Sequence, residues 1–303
     1  LSKSLNLECL FKRVNVRSLI SLRLQQSRTS MSRICLYLCV LSLFVIACTG
    51  TNNEGSSAAT SLTSPGGRLA LNFTIAENGE GTYSLTHGEQ TVIPASGLGF
   101  SFKAAPDLGA NLEVKNISKQ DVDEAWERPW GEQRMVRNRY SEMTIDLQET
   151  VEPNRQFSLV FRLYDDGLGF RYYFPEQENM DSVLIMQEHT EFSLTGDPMC
   201  WWIPGDWDIY EHIYNETSFS EIDATAKRDH PNLAQTYIPE NAVNTPVTLK
   251  TEDGLYLSFH EANLTDYAGM TLRVNKEENR FESALVAWSD GIRVKQQTPF
   301  STP

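Results

Sequence analysis

Phe157-Ser158-Leu159-Val160-Phe161-Arg162-Leu163-Tyr164-Asp165-Asp166-Gly167-Leu168-Gly169-Phe170-Arg171-Tyr172-Tyr173-Phe174 is the stretch that decides the fold. Phe157, Leu159, Phe161 and Leu163 alternate with Ser158, Val160, Arg162 and Tyr164, and after Asp166-Gly167 the alternation resumes at Leu168, Phe170, Tyr172 and Phe174. A period of two on both sides of an Asp-Gly turn predicts two antiparallel strands with one face buried.

The same pattern recurs outward from this hairpin. Leu69, Leu71, Phe73 and Ile75 share a face, Asn78-Gly79 supplies a turn, and Tyr83 and Leu85 continue. Val247 and Leu249 lead to Asp253-Gly254 and return through Leu255, Leu257 and Phe259. A fourth hairpin is read from Phe281, Ser283, Leu285 and Ala287 through Asp290-Gly291 to Ile292 and Val294. No apolar run holds a 3.6-residue period for more than about 12 positions. Glu216 to Lys227 offers one short helix at most. No βαβ rhythm or internal repeat is visible, so the reading is all-β, a large antiparallel sandwich over residues 64–303.

The N-terminal part is read differently. Residues 1–30 carry six Lys or Arg against Glu8 and lack periodicity, which suggests an upstream, disordered extension. From Met31, Arg33 begins a short basic region and Ile34 to Ile46 form an apolar run of 13 residues. That is too short for a comfortable bilayer span but suits a secretory signal. Val45-Ile46-Ala47-Cys48 resembles a bacterial lipobox, which makes Cys48 the candidate lipidation site and residues 31–48 the signal peptide. An ordinary signal peptide or an uncleaved anchor is the alternative. Residues 49–63 are rich in Ser, Thr, Gly and Asn and read as a flexible linker. The localisation implied is an exported lipoprotein, periplasmic or anchored to the outer membrane of a Gram-negative bacterium, touching membrane only through its lipid.

Beyond Cys48 the chain carries 19 basic and 39 acidic residues. Such a balance argues against a nucleic-acid partner, because neutralised phosphates supply most of that affinity. Cys200 is the one thiol left in this part, so an intramolecular disulfide, a zinc finger and dithiol redox chemistry are excluded there.

Three of the six tryptophans fall near three carboxylates in Trp201-Trp202-Ile203-Pro204-Gly205-Asp206-Trp207-Asp208-Ile209-Tyr210-Glu211. Indole faces stack on the apolar faces of sugar rings while carboxylates accept hydrogen bonds from hydroxyls, although a Trp-rich strand end in a β core reads the same way. Trp126 to Glu132, followed by Arg137-Asn138-Arg139-Tyr140, is a second aromatic and charged cluster. It suits either sugar contacts or a loop clamped onto the sandwich by Arg–Glu pairs. His260-Glu261, followed by Asp266-Tyr267, is a third. No Gly-x-Ser-x-Gly, His-Glu-x-x-His or phosphate-binding glycine loop is present. Glycosidases need two carboxyl groups flanking one bond, and Glu132, Asp206, Asp208, Glu211 and Glu261 are available without any pairing being decided. Clustered oxygens also suit calcium, assembled in this case from distant segments.

Taken in order, Ser64-Pro65-Gly66, Trp126 to Glu132 with Arg137 to Tyr140, Phe161 to Tyr172, Trp202-Ile203-Pro204-Gly205-Asp206, Asp253-Gly254-Leu255-Tyr256, and His260-Glu261-Ala262 with Leu264, Asp266 and Tyr267 resemble the N-terminal domain of glycoside hydrolase family 97. The resemblance covers about residues 62–303. It implies a galactose mutarotase-like β-super-sandwich that packs on a catalytic (β/α)8 barrel, and an exported enzyme acting on oligosaccharides with α-linked glucose or galactose. It also implies a calcium cofactor to which Glu211 lends a carboxylate. Trp207, Asp208, His260 and Glu261 are the candidate substrate contacts. The barrel is expected to supply the catalytic pair, so no catalytic residue is assigned in this chain, which ends where the barrel should begin. A free-standing carbohydrate-binding lipoprotein is the alternative.

Overall fold

The computed structural model describes residues 59–227 and 236–303. The Phe157–Phe174 stretch forms the strands Gln156–Leu163 and Leu168–Phe174, paired antiparallel with Leu163 opposite Leu168, Phe161 opposite Phe170 and Leu159 opposite Tyr172. Tyr164 N–H closes the turn on the Gly167 carbonyl at 2.8 Å. Phe157, Leu159, Phe161, Leu163, Tyr172 and Phe174 are all buried, so this face is the core face. On the other face Arg162 pairs with Glu142 at 2.7 Å and lies over the Tyr140 ring.

Five antiparallel sheets are built around this hairpin. Ala59–Thr63, Leu69–Ile75, Gly81–His87 and Gln90–Gly97 form an N-terminal meander. The central sheet runs Phe300–Ser301, Leu168–Phe174, Gln156–Leu163, Met135–Glu149, Leu112–Glu127. A third runs Val294–Gln297, Ser182–Glu188, Phe100–Phe102, Ala105–Leu108, and a fourth Glu191–Ser193, Arg280–Leu285, Met270–Asn275, Ala242–Asn244. The fifth runs Asn215–Ser218, Met199–Trp202, Val247–Lys250, Tyr256–Phe259. Their inner faces share one continuous hydrophobic core, the arrangement of a β-super-sandwich. The Ser64-Pro65-Gly66 turn is fastened to the central hairpin, where Gly66 N–H donates to the Asp165 carboxylate at 2.5 Å. A Cβ on Gly66 would stand 2.6 Å from that carboxylate, which is why the position takes glycine.

Three of the four predicted hairpins form in the expected registers. The fourth does not. Arg280–Leu285 pairs with Met270–Asn275 and Glu191–Ser193, whereas Val294–Gln297 joins Ser182–Glu188 in another sheet. The turn at Asp290-Gly291 exists, with Trp288 N–H on the Ile292 carbonyl at 2.8 Å, but the strands diverge beyond it. The linker expected over residues 49–63 ends sooner, because Ala59–Thr63 is an edge strand with Leu62 buried opposite Leu71. Threonine favours strands as readily as loops, so a Ser/Thr-rich stretch misleads. Glu216–Lys227 makes a strand end and two single 3₁₀ turns, Phe219–Glu221 and Thr225–Lys227. Residues 1–58, including the signal peptide and Cys48, lie outside the described residues.

The largest element the sequence conceals is a two-stranded ribbon, Leu112–Glu127 against Met135–Glu149. The first strand is exposed along nearly its whole length, so neither of its faces carries an apolar pattern. The ribbon joins the core through the second strand, whose Met143, Ile145 and Leu147 are buried. Near its root Arg155 and Glu149 form a buried ion pair at 2.6 Å, with the guanidinium also donating to the Pro106 and Asp107 carbonyls.

Candidate functional site

The Trp201–Glu211 stretch divides sharply at Asp206. Trp202 is buried and donates its indole N–H to Thr217 Oγ1 at 3.0 Å, fixing the strand end. Gly205 N–H then bonds the Ala242 carbonyl at 2.7 Å, and a Cβ on Gly205 would crowd that oxygen at 3.0 Å. Asp206 is 3% exposed, and its carboxylate accepts hydrogen bonds from Asp208 N–H at 2.9 Å, Ile209 N–H at 3.2 Å, the Thr236 hydroxyl and His212 Nε2 at 3.0 Å. Burial acts to raise its pKa, but these hydrogen bonds prevail and hold it below the usual carboxylate range. Asp206 is therefore the anchor of the following loop, with its acceptor capacity spent on that loop.

What the anchor presents is exposed. Trp207, Tyr210, Ile213 and Tyr214 project from residues 207–214, with Ile213 77% accessible. Asp208 and Glu211 are also exposed. The neighbouring Val247–Lys250 and Tyr256–Phe259 strands carry the third cluster beside this loop, with Trp201 stacked on Tyr256 at 6.1 Å. Tyr210 has its phenol pKa raised by burial and then by the charge of Glu261. Two of the three sequence clusters thus meet. Glu261 holds Met270 N–H with both carboxylate oxygens, at 3.0 and 3.1 Å, and burial raises its pKa. His260 is exposed, its Nδ1 2.9 Å from the Glu261 carbonyl.

The remaining cluster lies elsewhere. Trp126 to Glu132 occupies the ribbon tip, where Trp130 is 81% exposed. The Arg–Glu clamp expected to fasten it to the sandwich instead ties the ribbon to itself, through Arg134–Glu127 at 2.7 Å and Arg137–Asp123 at 2.6 Å.

His260 and Glu261 line a cavity of about 1070 Å³ to which all five sheets contribute. Its lining includes residues that sequence reasoning missed, Glu188, Thr190 and Tyr172 among them. Glu188 and Thr190 lie near short strand ends without a motif, and Tyr172 had been read as core alone. His212 was missed for the same lack of a motif signal, though its spacing from Asp206 within one loop could have suggested the contact. Cys200 is buried and its thiol is pushed up to about 12, so it is inert as a nucleophile at neutral pH. Among the described residues no three His, Cys, Asp or Glu side chains gather as a metal site. Calcium takes six to eight oxygens, so Glu211 fits as a single outward-facing ligand and not as the core of a site.

The architecture is that of an all-β super-sandwich with an anchored aromatic and acidic loop at the end of one sheet. The glycosyl-hydrolase 97 N-terminal family matches residues 62–303, and the chain belongs to that family. It is 22% identical over 222 residues to a retaining alpha-galactosidase of Bacteroides thetaiotaomicron, covering 73% of this chain and 31% of that protein. It is 25% identical over 245 residues to a probable retaining alpha-galactosidase of Streptomyces bingchenggensis, covering 79% of this chain and 36% of that one. A glycoside hydrolase family 97 enzyme from Pseudoalteromonas sp. strain K8, solved in complex with panose, is 31% identical with a TM-score of 0.71. The match covers 80% of this chain and 34% of that one. The chain spans about a third of the length of each of these relatives.

Proposed function

We propose that this domain is the N-terminal part of an exported glycosidase acting on α-galactosidic or α-glucosidic bonds, and that it packs on a catalytic (β/α)8 barrel through the loop anchored by Asp206. The observation that supports this reading is the contrast within one loop. Its root is buried and saturated with hydrogen bonds, while its crown exposes Trp207, Tyr210, Ile213 and Tyr214. Exposed apolar side chains on a rigidly held loop suit a surface that another domain covers. Glu211 lies on that crown and lends one carboxylate to a calcium ion whose other ligands come from the barrel. When bound, the ion supplies positive charge that orients substrate and catalytic carboxylates. Trp207 and Asp208 approach the sugar from the same loop, and His260 and Glu261 from the adjoining segment. Export as a lipid-anchored protein through Cys48 completes the reading.

The test uses a protein that carries this domain together with the coding sequence that follows it. It is expected to cleave aryl α-galactoside or α-glucoside and to lose activity on chelation, with calcium restoring it. Glu211→Gln should raise the calcium needed for half-activation by on the order of tenfold, the scale of losses around metal ligands. Activity that ignores both the chelator and the substitution removes Glu211 from the metal.

A further inference from the structure

The Leu112–Glu127 strand ends the central sheet, and beyond it the ladder stops. In an antiparallel pair every second residue turns its N–H and C=O away from the neighbouring strand, so a long edge strand presents a row of unpaired backbone groups. Among the described residues no hydrogen bond closes that row between Glu113 and Glu127. A bulge at Val114/Asn116 distorts the root of the strand, but from Asn116 to Glu127 it pairs with its neighbour in unbroken register. The charges on this regular stretch are sorted about its middle. Lys119 stands on one side of Gln120, while Asp121, Asp123 and Glu124 stand on the other. All five of these side chains are exposed.

We propose that this edge is a self-association surface, on which a second copy of the chain adds the same strand antiparallel and joins the two central sheets into one. The two-fold axis passes between facing Gln120 residues. Such an axis, perpendicular to the sheet, keeps each side chain on its own face, so the competing registers are those that move it to a neighbouring residue. An axis at Lys119 would set two lysines opposite one another, and an axis at Asp121 two aspartates. At Gln120, Lys119 of each copy faces Asp121 of the other, Ile117 faces Asp123, Ser118 faces Val122 and Asn116 faces Glu124. No like charges are then opposed, and opposite charges directly across a ladder are favourable. Lys119 Nζ already donates to the Ser61 carbonyl at 2.6 Å, and Asp121 Oδ1 accepts from the Ser141 hydroxyl at 2.7 Å. The ammonium keeps two further N–H groups and the carboxylate its other oxygen, so both can take a partner across the axis. The charges that discourage a foreign strand from adding to this edge match their own order read backwards. This pairing uses neither the Asp206 loop nor the cavity.

Sedimentation velocity of the 303-residue chain over a dilution series at low ionic strength is expected to show a reversible monomer–dimer equilibrium. Lys119→Asp and Asp121→Lys each turn two attractive pairs at the centre of the ladder into repulsive ones. Each should raise the dissociation constant on the order of tenfold. An equimolar mixture of the two variants places acids of one chain opposite bases of the other at both pairs, and should dimerise at least as tightly as the parent. Both positions are exposed, and recovery in the mixture shows that the variants fold. Three results overturn the assignment: a chain that stays monomeric throughout the series, association that ignores both substitutions, or association that is lost in both variants and not regained on mixing. None of them bears on the calcium role of Glu211.

Discussion

Asp206 shows how a single side chain sets the geometry of a site it does not enter. Its carboxylate ties Asp208, Ile209, His212 and Thr236 together, and its own N–H donates to Asn244 Oδ1 at 2.9 Å. Because its pKa is depressed in the fold, its contribution to stability is complete above the unfolded carboxylate value near 4 and is lost as pH falls through the lower folded value. Asp206→Asn is therefore expected to cost about 1–3 kcal/mol at pH 7. The difference from the parent should shrink as denaturant melts are repeated below about pH 4. A constant difference down to pH 2 would show that the charge is not what matters. The sequence placed Asp206, Asp208 and Glu211 in one acidic cluster and could not separate them. Proximity along the chain is visible there, but which carboxylate turns inward depends on Asn244 and Thr236, residues from a different part of the fold. His212 and Glu188 escaped notice for the same reason, since each gains its meaning from partners that only the folded chain brings near.

At the scale of elements, legibility followed burial. A strand with one buried face writes its register into the sequence, as in Gln156–Leu163 and Leu69–Ile75, because each slip by one residue would turn the apolar set outward. The Leu112–Glu127 strand has no such constraint and left no signal, although it is the longest strand in the fold at 16 residues. Its outer half is held by the ladder and by exposed ion pairs that solvent screens. Removing residues 125–137 and joining Glu124 to its register partner Asn138 through Asn-Gly, which keeps the contacts of Asn138 to Tyr164 and of Arg139 to Pro65, should thus change unfolding free energy by less than about 1 kcal/mol. Urea melts of the shortened chain check this. A loss of several kcal/mol would mean that the ribbon tip supports the sandwich. The misread fourth hairpin adds a complementary lesson. Phe281 and Val294 both face the core, so the alternation was real, but pattern alone cannot say that two consecutive strands enter different sheets.

Across the whole molecule, the all-β architecture was legible because alternation and turn dipeptides recur through it, while the cavity was not, because five sheets must converge to create it. The same convergence separates two surfaces that the sequence ran together. One is the open cavity with Glu188 in its lining, the other the outward crown of Trp207, Tyr210, Ile213 and Tyr214. A crown residue that contacts only solvent in the isolated domain contributes little to its folding, whereas burying an Ile side chain against another domain is worth about 1.5–3 kcal/mol. Ile213→Asp should accordingly leave the melting temperature of the 303-residue chain unchanged, since the side chain is 77% exposed there. In a longer protein that includes the following domain, the same substitution should lower the temperature of thermal inactivation and expose the sandwich to proteolysis at lower denaturant. The paired measurement separates an interface from a local defect, because a defect in the loop itself would destabilise both proteins alike. Equal stability of parent and variant in the longer protein would leave the crown to the solvent, and the packing face would have to be sought elsewhere on the sandwich.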